Sequence, residues 1–424
     1  MPAPTLPASP EVPSAHRRTV RLTVVLLFAA WLVDYADRLV INLVLPSIGA
    51  EFDIDRTRQG LVVSAFFLAY ALCQIPGGML ADRFGGRRVT LWALFAWSVF
   101  TALTGFAWSF AVLLALRFAF GVAEGIFPPA AMKVLAERTR TEERSSANGL
   151  VMSSNAIAAV LTPLIMAPLI AAFGWRSAFW SSAALGVFVL FAVRGRLPDP
   201  LPRTEGAAAS RPPLRTLLRT GVLWRFALIM FGYNTIIWGL NTWVPSYLSE
   251  EHGVSLASAG ALLAIPALGA AVATVLGGRL ADRLGGRHRV IIVPGMSVAA
   301  IALLLMVNTP SLTGFVVFGF LAVFAASLSY MPVFAVPLSG LAPESVGIGT
   351  AVIILGGQVA GMIAPPVMGA LADAFSFQFA FGFLVLGAVI AAVMACLTPQ
   401  DADAFRAAAN RTARTTRTAK EPAA

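Results

Sequence analysis

The chain has 424 residues, of which 58% are hydrophobic and only 12% charged, with a mean hydropathy of +0.79. So apolar a composition excludes an ordinary soluble domain and requires lipid as the solvent. The net charge of +10 does not mark a nucleic-acid binder, because the arginines lie between apolar runs, where they report topology rather than a polyanion footprint.

Residues 1–20 are rich in proline and lack the apolar core and small-residue cleavage site of a signal peptide, so they read as a disordered tail. A bilayer core about 30 Å thick needs about 20 mostly apolar residues per helix. On that ruler twelve runs follow, near 21–46, 58–80, 88–107, 110–132, 146–171 and 175–194, then 222–248, 256–280, 288–307, 312–336, 346–372 and 377–397. They predict an all-α integral membrane protein built of two pseudo-symmetric six-helix bundles, 21–194 and 222–398. Between them, 195–221 carries five prolines among scattered arginines and reads as a linker. Residues 399–424 are polar and read as a second disordered tail.

The basic residues test this partition independently. With the N-terminus in the cytoplasm, all but five of the 31 lysines and arginines fall in cytoplasmic tails, loops or helix ends. Arg56, Arg58 and Arg176 fall outside, and Arg38 and Arg117 fall inside the membrane. The bias places both termini on the cytoplasmic side of the cell's inner (plasma) membrane. Cys73 and Cys396 lie inside apolar runs, and His16, His252 and His288 lie outside them. No disulfide framework or metal-ligand spacing is visible, so neither a metal nor a cofactor is expected.

One short stretch occurs twice. GGMLADRFGGRR begins at Gly77 and GGRLADRLGGRHR two hundred positions later at Gly277, each after the second apolar run of its half. Gly77 and Gly78 let helices approach closely, Asp82 and Asp282 sit where a helix meets water, and Arg83, Arg87, Arg283 and Arg287 hold the turn on one side. The pattern resembles the signature loop between helices 2 and 3 of the major facilitator superfamily, with its echo between helices 8 and 9. That resemblance implies a cytoplasmic gating loop, formed by Gly78, Asp82, Arg83, Gly85 and Arg87 and by Gly278, Asp282, Arg283, Gly285 and Arg287. In the family the loop is a latch holding the halves together, not a substrate site.

Ionisable residues inside the membrane are costly, so by default they face a cavity, find a partner and have a function. Asp34, Asp37 and Arg38 on helix 1 and Arg117 and Glu124 on helix 4 are of this kind, and helices 7 to 12 have none in their interiors. Asp34 and Arg38 are four apart, and Arg117 and Glu124 seven apart, so each pair shares a helix face. Guanidinium groups beside carboxylates suit an anion held by arginine and an acid that takes up a proton. The other reading is that these charges only neutralise one another and fix helices 1 and 4 together. Both can hold, because an ion pair that breaks when its acid is protonated is a usable switch. Pro128, Pro129, Pro163, Pro365 and Pro366 read as kinks or helix ends, and Gly356, Gly357 and Gly361 as helix packing rather than a dinucleotide loop.

DYADRLVINLVLPSI, residues 34–48, is similar to the helix 1 pattern of the anion:cation symporter branch, which includes hexuronate, galactonate, glucarate and sialic acid transporters. RFAFGVAEGIFPPA at 117–130, GWRSAFW at 174–180 and WVPSYL at 243–248 resemble the same branch. The resemblance implies that Asp37 and Glu124 serve proton coupling, with Asp34 an additional carboxylate where asparagine is usual. It implies that Arg38 contacts the substrate anion and that Arg117 organises the helix 4 site. Tyr35, Tyr70 and Asn155 would line the cavity, and Gln358 would supply an amide where the family tends to carry an asparagine at the position of Ile354. Helix 10, with SLSYMPVFAVP, also departs from the usual pattern, which leaves room for a less hydroxylated or aromatic carboxylate.

The expected function is proton-coupled symport of a sugar acid or other small carboxylate into the cytoplasm by alternating access. The expected partners are the organic anion, protons and the lipid bilayer, with no nucleic acid, and a monomer is expected. An exporter of drugs or metabolites is the alternative, although SSNAIAAVLTPLIMAPLI lacks the glycine-rich helix 5 signature of that class. A membrane sensor is the second alternative, and paired buried acids argue against it. An enzyme is not expected, since no nucleophile, base and orienting group come together.

Overall fold

The computed structural model describes residues 14–201, 218, 220–285, 287–342 and 345–409. Most of the expected tails and linker lies outside the described residues. The described chain is helical throughout, as lipid demands of any span whose backbone polar groups must be satisfied internally. The first half holds α1 (Ser14–Phe52), α2 (Arg56–Phe84), α3 (Gly86–Thr104), α4 (Phe110–Ala136), α5 (Thr141–Phe173) and α6 (Arg176–Arg196). The second holds α7 (Gly221–Glu250), α8 (Leu256–Arg283), α9 (Arg289–Asn308), α10 (Leu312–Ser327), α11 (Pro332–Gly340), α12 (Val346–Ala374) and α13 (Phe377–Leu397). Ten spans among the described residues are long and apolar enough to cross a membrane, 312–340 (α10 with α11) counting as one. The other two of the twelve runs are α1, which carries Asp34, Asp37 and Arg38 in its middle, and α3, which opens on Arg87 and Arg88.

Two departures from the sequence boundaries have physical causes. α1 begins at Ser14, so the end of the expected N-terminal tail is helix, and buried His16 bonds Glu143 at 2.8 Å. Residues 402–409, expected to be disordered, form a helix whose Phe405 is 1% exposed, packed on Phe226 and Gly340.

The halves repeat the same packing. In the first, α2 lies along α4, α1 along α5, and α3 against α4 and α6. In the second, α8 lies along α10, α7 along α12, and α9 against α10 and α13. Each half has its own apolar core. The two-hundred-residue offset reaches beyond the duplicated loop. Gly85 and Gly285 both have positive φ, +89° and +63°, and so turn the chain where other residues would be strained. Asp55 and Ser255 cap α2 and α8, each accepting from the backbone amide three residues on.

Call the end where α1 begins the near end and the opposite one the far end. The duplicated loops lie at the near end. There Lys133 bonds Asp82 at 3.0 Å and the carbonyl of Ala81 at 2.9 Å, and Arg87 bonds the carbonyl of Arg194 at 2.9 Å. These bonds tie α2 to α4 and α3 to α6 within the first half. Gly77 meets Ile126 of α4 and Gly277 meets Leu328 after α10, so the loop glycines serve helix packing.

Between the halves, α2 packs on α12, α5 on α8, and α1 faces α7, a pattern that exchange of the halves leaves unchanged. Glycine meets proline in both outer seams. A Cβ on Gly60 would lie 2.5 Å from Cα of Pro366, and one on Gly260 would lie 2.4 Å from the carbonyl oxygen of Pro163. At the far end Asp373 of α12 accepts from the backbone amides of Arg56 (3.2 Å) and Thr57 (2.9 Å) and from the Thr57 hydroxyl (2.9 Å). It therefore caps a helix of the other half, whose N-terminal dipole favours the carboxylate. Arg56 adds ion pairs to Glu250 at 2.5 Å and Asp373 at 3.5 Å. The Ser64 hydroxyl donates to the carbonyl of Met362. Asp373→Asn is expected to speed maleimide labelling of a Ser64→Cys probe about tenfold, with Cys73 and Cys396 replaced. Charge-assisted bonds of this kind contribute roughly 1.5 kcal/mol, about a factor of ten in the opening equilibrium. An unchanged rate would show that the seam is not closed by this cluster.

The GWR stretch at 174–176 also acquires a mechanical role. Arg176 holds both oxygens of Glu51, at 2.7 and 2.5 Å, and the Trp175 indole donates to the same carboxylate at 2.7 Å, pinning the far end of α1 to α6. The Arg176 hydrogen bonds hold the Glu51 carboxyl below its ordinary value of 4.5. Its contribution is thus complete above that pH and is lost as the pH falls through the lowered value. Glu51→Gln is expected to cost at most about 1 kcal/mol because the pair is partly solvated. Thermal unfolding in detergent reads this as a lower Tm at neutral pH, with the gap to the wild type closing in acid.

Candidate functional site

α1 positions three charged side chains by helix spacing alone: Asp34 and Arg38 stack one turn apart, while Asp37 points to another face. The Arg38 guanidinium donates from Nη2 to Asp34 Oδ2 at 3.0 Å and to Glu124 Oε2 of α4 at 3.2 Å. Asp37 turns away from this pair and accepts from the Thr101 hydroxyl of α3 at 2.6 Å. All five charged groups are buried, Glu124 and Asp37 completely.

Arg117 does not bond Glu124, although both lie on α4. Its guanidinium stands 4.4 Å from the ring centroid of Phe120 and 5.8 Å from that of Phe66, within electrostatic reach of Asp37 and Glu124. Arg38 is likewise set among rings, with Tyr70 at 4.6 Å, Phe66 at 5.2 Å and Tyr35 at 5.7 Å. Aromatic faces stabilise a guanidinium without consuming its hydrogen bonds. Donors accordingly remain: Nε of Arg38 and Nε and Nη2 of Arg117 are buried without an acceptor, as one oxygen each of Asp34, Asp37 and Glu124 is without a donor. Unspent guanidinium donors next to unspent carboxylate oxygens are equipped to bind an anion and to accept protons.

Of the expected lining residues, the structure brings Tyr35 and Tyr70 to Arg38. Asn155 of α5 and Gln358 of α12 make no side-chain hydrogen bond among the described residues, and each holds a buried amide oxygen without a partner. Sequence reasoning missed Thr101, which stands in a stripe of buried hydroxyls with Ser98 and Thr104. Beyond Gln358, it also missed the aromatic contribution of the second half. Trp238 of α7 packs on Tyr35 (6.4 Å between centroids) and Phe67 (4.7 Å), and Tyr233 packs on Tyr330 at 5.4 Å. The available signal was the polar pair Tyr233–Asn234 inside an apolar run. The second half thus faces the charged cluster with aromatic and hydroxyl groups, and among the described residues the buried ion pairs lie in the first half.

The model of the Major Facilitator Superfamily matches residues 26–289 and 246–421. A Cupriavidus necator protein named "Probable sulfoacetate transporter" is 30% identical over 385 residues, covering 85% of this chain and 89% of its own length. An Escherichia coli K12 protein named "Probable galactarate/D-glucarate transporter" is 31% identical over 423 residues, covering 89% and 94%. In fold, the crystal structure of a bacterial homologue of the human lysosomal transporter Spinster superposes with a TM-score of 0.77 at 20% identity, over 95% of this chain and 99% of that one. The chain therefore belongs to the Major Facilitator Superfamily, a family of membrane transporters and not of enzymes, on the branch its anion-transporter relatives occupy.

Proposed function

We propose that the protein is a proton-coupled symporter that carries a small organic anion into the cytoplasm of a bacterial cell by alternating access. The observation that carries the reading is Arg38, held between Asp34 and Glu124 in the membrane core with donors still unspent. An isolated charge costs several kcal/mol or more at that depth, and a paired one much less, so the cluster is stable only while its charges balance. An arriving anion adds negative charge beside Arg38 and Arg117. Protons taken up by Glu124 and Asp37 restore the balance and release Arg38 from its carboxylates for the substrate. Once neutral, the site closes at low cost and reopens on the other side.

Near-end loops rich in arginine support a cytoplasmic near end. The far-end cluster of Arg56, Glu250 and Asp373 then serves as the outer gate, and the duplicated Asp82 and Asp282 loops as the inner one. The names of the relatives span a sulfonated carboxylate and sugar diacids. Their shared chemistry, a small anion with one or two acid groups, fits two guanidinium groups, while the wall of Tyr35, Tyr70, Tyr233, Tyr330 and Trp238 also accommodates an aromatic carboxylate. The test is uptake into proteoliposomes under an inward proton gradient, with sulfoacetate, glucarate, galactonate and an aromatic carboxylate as candidates. Accumulation of one of them that collapses with the gradient is expected. Extrusion of neutral or cationic compounds, or binding without transport, would overturn the reading.

A further inference from the structure

The near end of α1 carries arginines where helix electrostatics disfavours them. Arg18 and Arg21 lie in its first two turns, which contain no acidic residue, although the positive end of the helix dipole repels cations there. Some basic side chains at the same end are engaged with protein acceptors, Lys133 with Asp82, Arg138 with the carbonyl of Pro198 and Arg144 with the carbonyl of Ala136, while others, such as Arg17 and Arg88, have no such acceptor among the described residues. Arg18 and Arg21 make no hydrogen bond or ion pair among the described residues. The same is true of the Arg196 side chain at the last residue of α6.

These three arginines share one open groove of about 580 Å³, floored by Leu22 and Val25. On α1 the lining residues 18, 21, 22 and 25 follow the i, i+3, i+4, i+7 spacing of one helix face. The groove is thus basic toward the chain's end and apolar toward the membrane. The exposed Val187, Phe188 and Phe191 lie one to three turns before Arg196 on α6, as on a lipid-facing surface. Residue 21 is also where the first apolar run begins, so the guanidinium groups sit at headgroup depth and Val25 at the start of the acyl chains.

We propose that this groove between α1 and α6 binds the phosphodiester headgroup of an anionic phospholipid. The arginines fork onto its phosphate oxygens, and Leu22 and Val25 cover the glycerol and upper acyl chain. Arginine suits the task because its planar donors bind phosphate in pairs, and a basic pocket between spans at the membrane surface is the arrangement that selects acidic lipids.

The test is thermal unfolding of the purified full-length protein in detergent, titrated with phosphatidylglycerol, phosphatidylcholine or inorganic phosphate. Phosphatidylglycerol is expected to raise the Tm saturably, with phosphatidylcholine and phosphate without effect. In the Arg18→Gln/Arg21→Gln variant the half-saturating concentration should rise about tenfold or more. Arg279→Gln, which removes one exposed charge at the same end of the other half, should leave it unchanged. Arg196→Gln, at the very end of α6, gives the same readout should the double variant fail to fold, and is expected to weaken binding several-fold. Equal responses to the two lipids, or an equal loss in Arg279→Gln, would reduce the effect to general surface charge and overturn the proposal. A shift reproduced by inorganic phosphate alone would assign the groove to a soluble phosphoanion instead and overturn the lipid.

Discussion

Arg38→Ala is expected to lower substrate uptake by at least about a hundredfold while leaving the protein folded in detergent. Removing one partner of a buried, hydrogen-bonded charge pair costs about 2–5 kcal/mol, and two decades of binding correspond to about 2.8 kcal/mol. Folding survives because Asp34 and Glu124, left without their cation, can take up protons in place of remaining charged. The same protons would otherwise be available for the cycle, so the variant should lose both anion binding and proton-driven uptake. Arg38→Lys should not rescue it. One Nη2 atom reaches both Asp34 and Glu124 while the rest of the planar group faces Tyr70 and Phe66, and a lysine ammonium lacks both the plane and the fork. The measurements are substrate-induced Tm shifts for binding and proteoliposome uptake for transport. Wild-type affinity in Arg38→Ala would remove Arg38 from the substrate site and move attention to Arg117.

Arg38 also shows where reading the sequence stops. Its partner Asp34 was legible, because four residues on a helix fix a shared face whatever surrounds it. A tie from helix 1 to helix 4 was legible as one reading of the charges, but that Arg38 reaches Glu124 was not, because the crossing of α1 and α4 is tertiary. Arg117 and Glu124 also share a face, yet seven residues separate them by about 10.5 Å along the axis, too far for a direct bond, so Arg38 reaches Glu124 from the neighbouring helix. The duplication was legible at Gly77 and Gly277 through nearly identical strings. Gly60 with Gly260 and Asp55 with Ser255 obey the same offset, but their neighbours differ, and only the packing against proline and the capping bonds give them meaning. Tyr233, Tyr330 and Trp238 carried no charge to betray them in an apolar chain. Residues 402–409 were misread because alanine-rich polar sequence gives little sign of the single buried Phe405 that holds the helix down.

Glu124→Gln is expected to separate movement of the substrate from its accumulation. The amide keeps the size of the carboxyl and can still accept from Arg38, so the site retains its shape, but it no longer exchanges a proton. Exchange of labelled for unlabelled substrate should stay within about threefold of the wild type, because exchange needs the loaded carrier to reorient and no net proton movement. Uptake driven by the proton gradient should fall more than tenfold, and its dependence on external pH should flatten. Asp37→Asn is the informative companion. Asp37 bonds Thr101 and lies apart from Arg38, so a carboxylate that merely stabilised α1 against α3 would, when neutralised, lower the Tm and leave coupling intact. Should Asp37→Asn uncouple transport while Glu124→Gln still accumulates substrate, the proton site is Asp37 and the Arg38–Glu124 pair is a structural tie between α1 and α4. Should each variant alone keep accumulation and only the double variant lose it, the two acids share the proton. The free oxygens on Asp34, Asp37 and Glu124, close enough to Arg38 and Arg117 to feel the same substrate charge, would make that sharing physically reasonable.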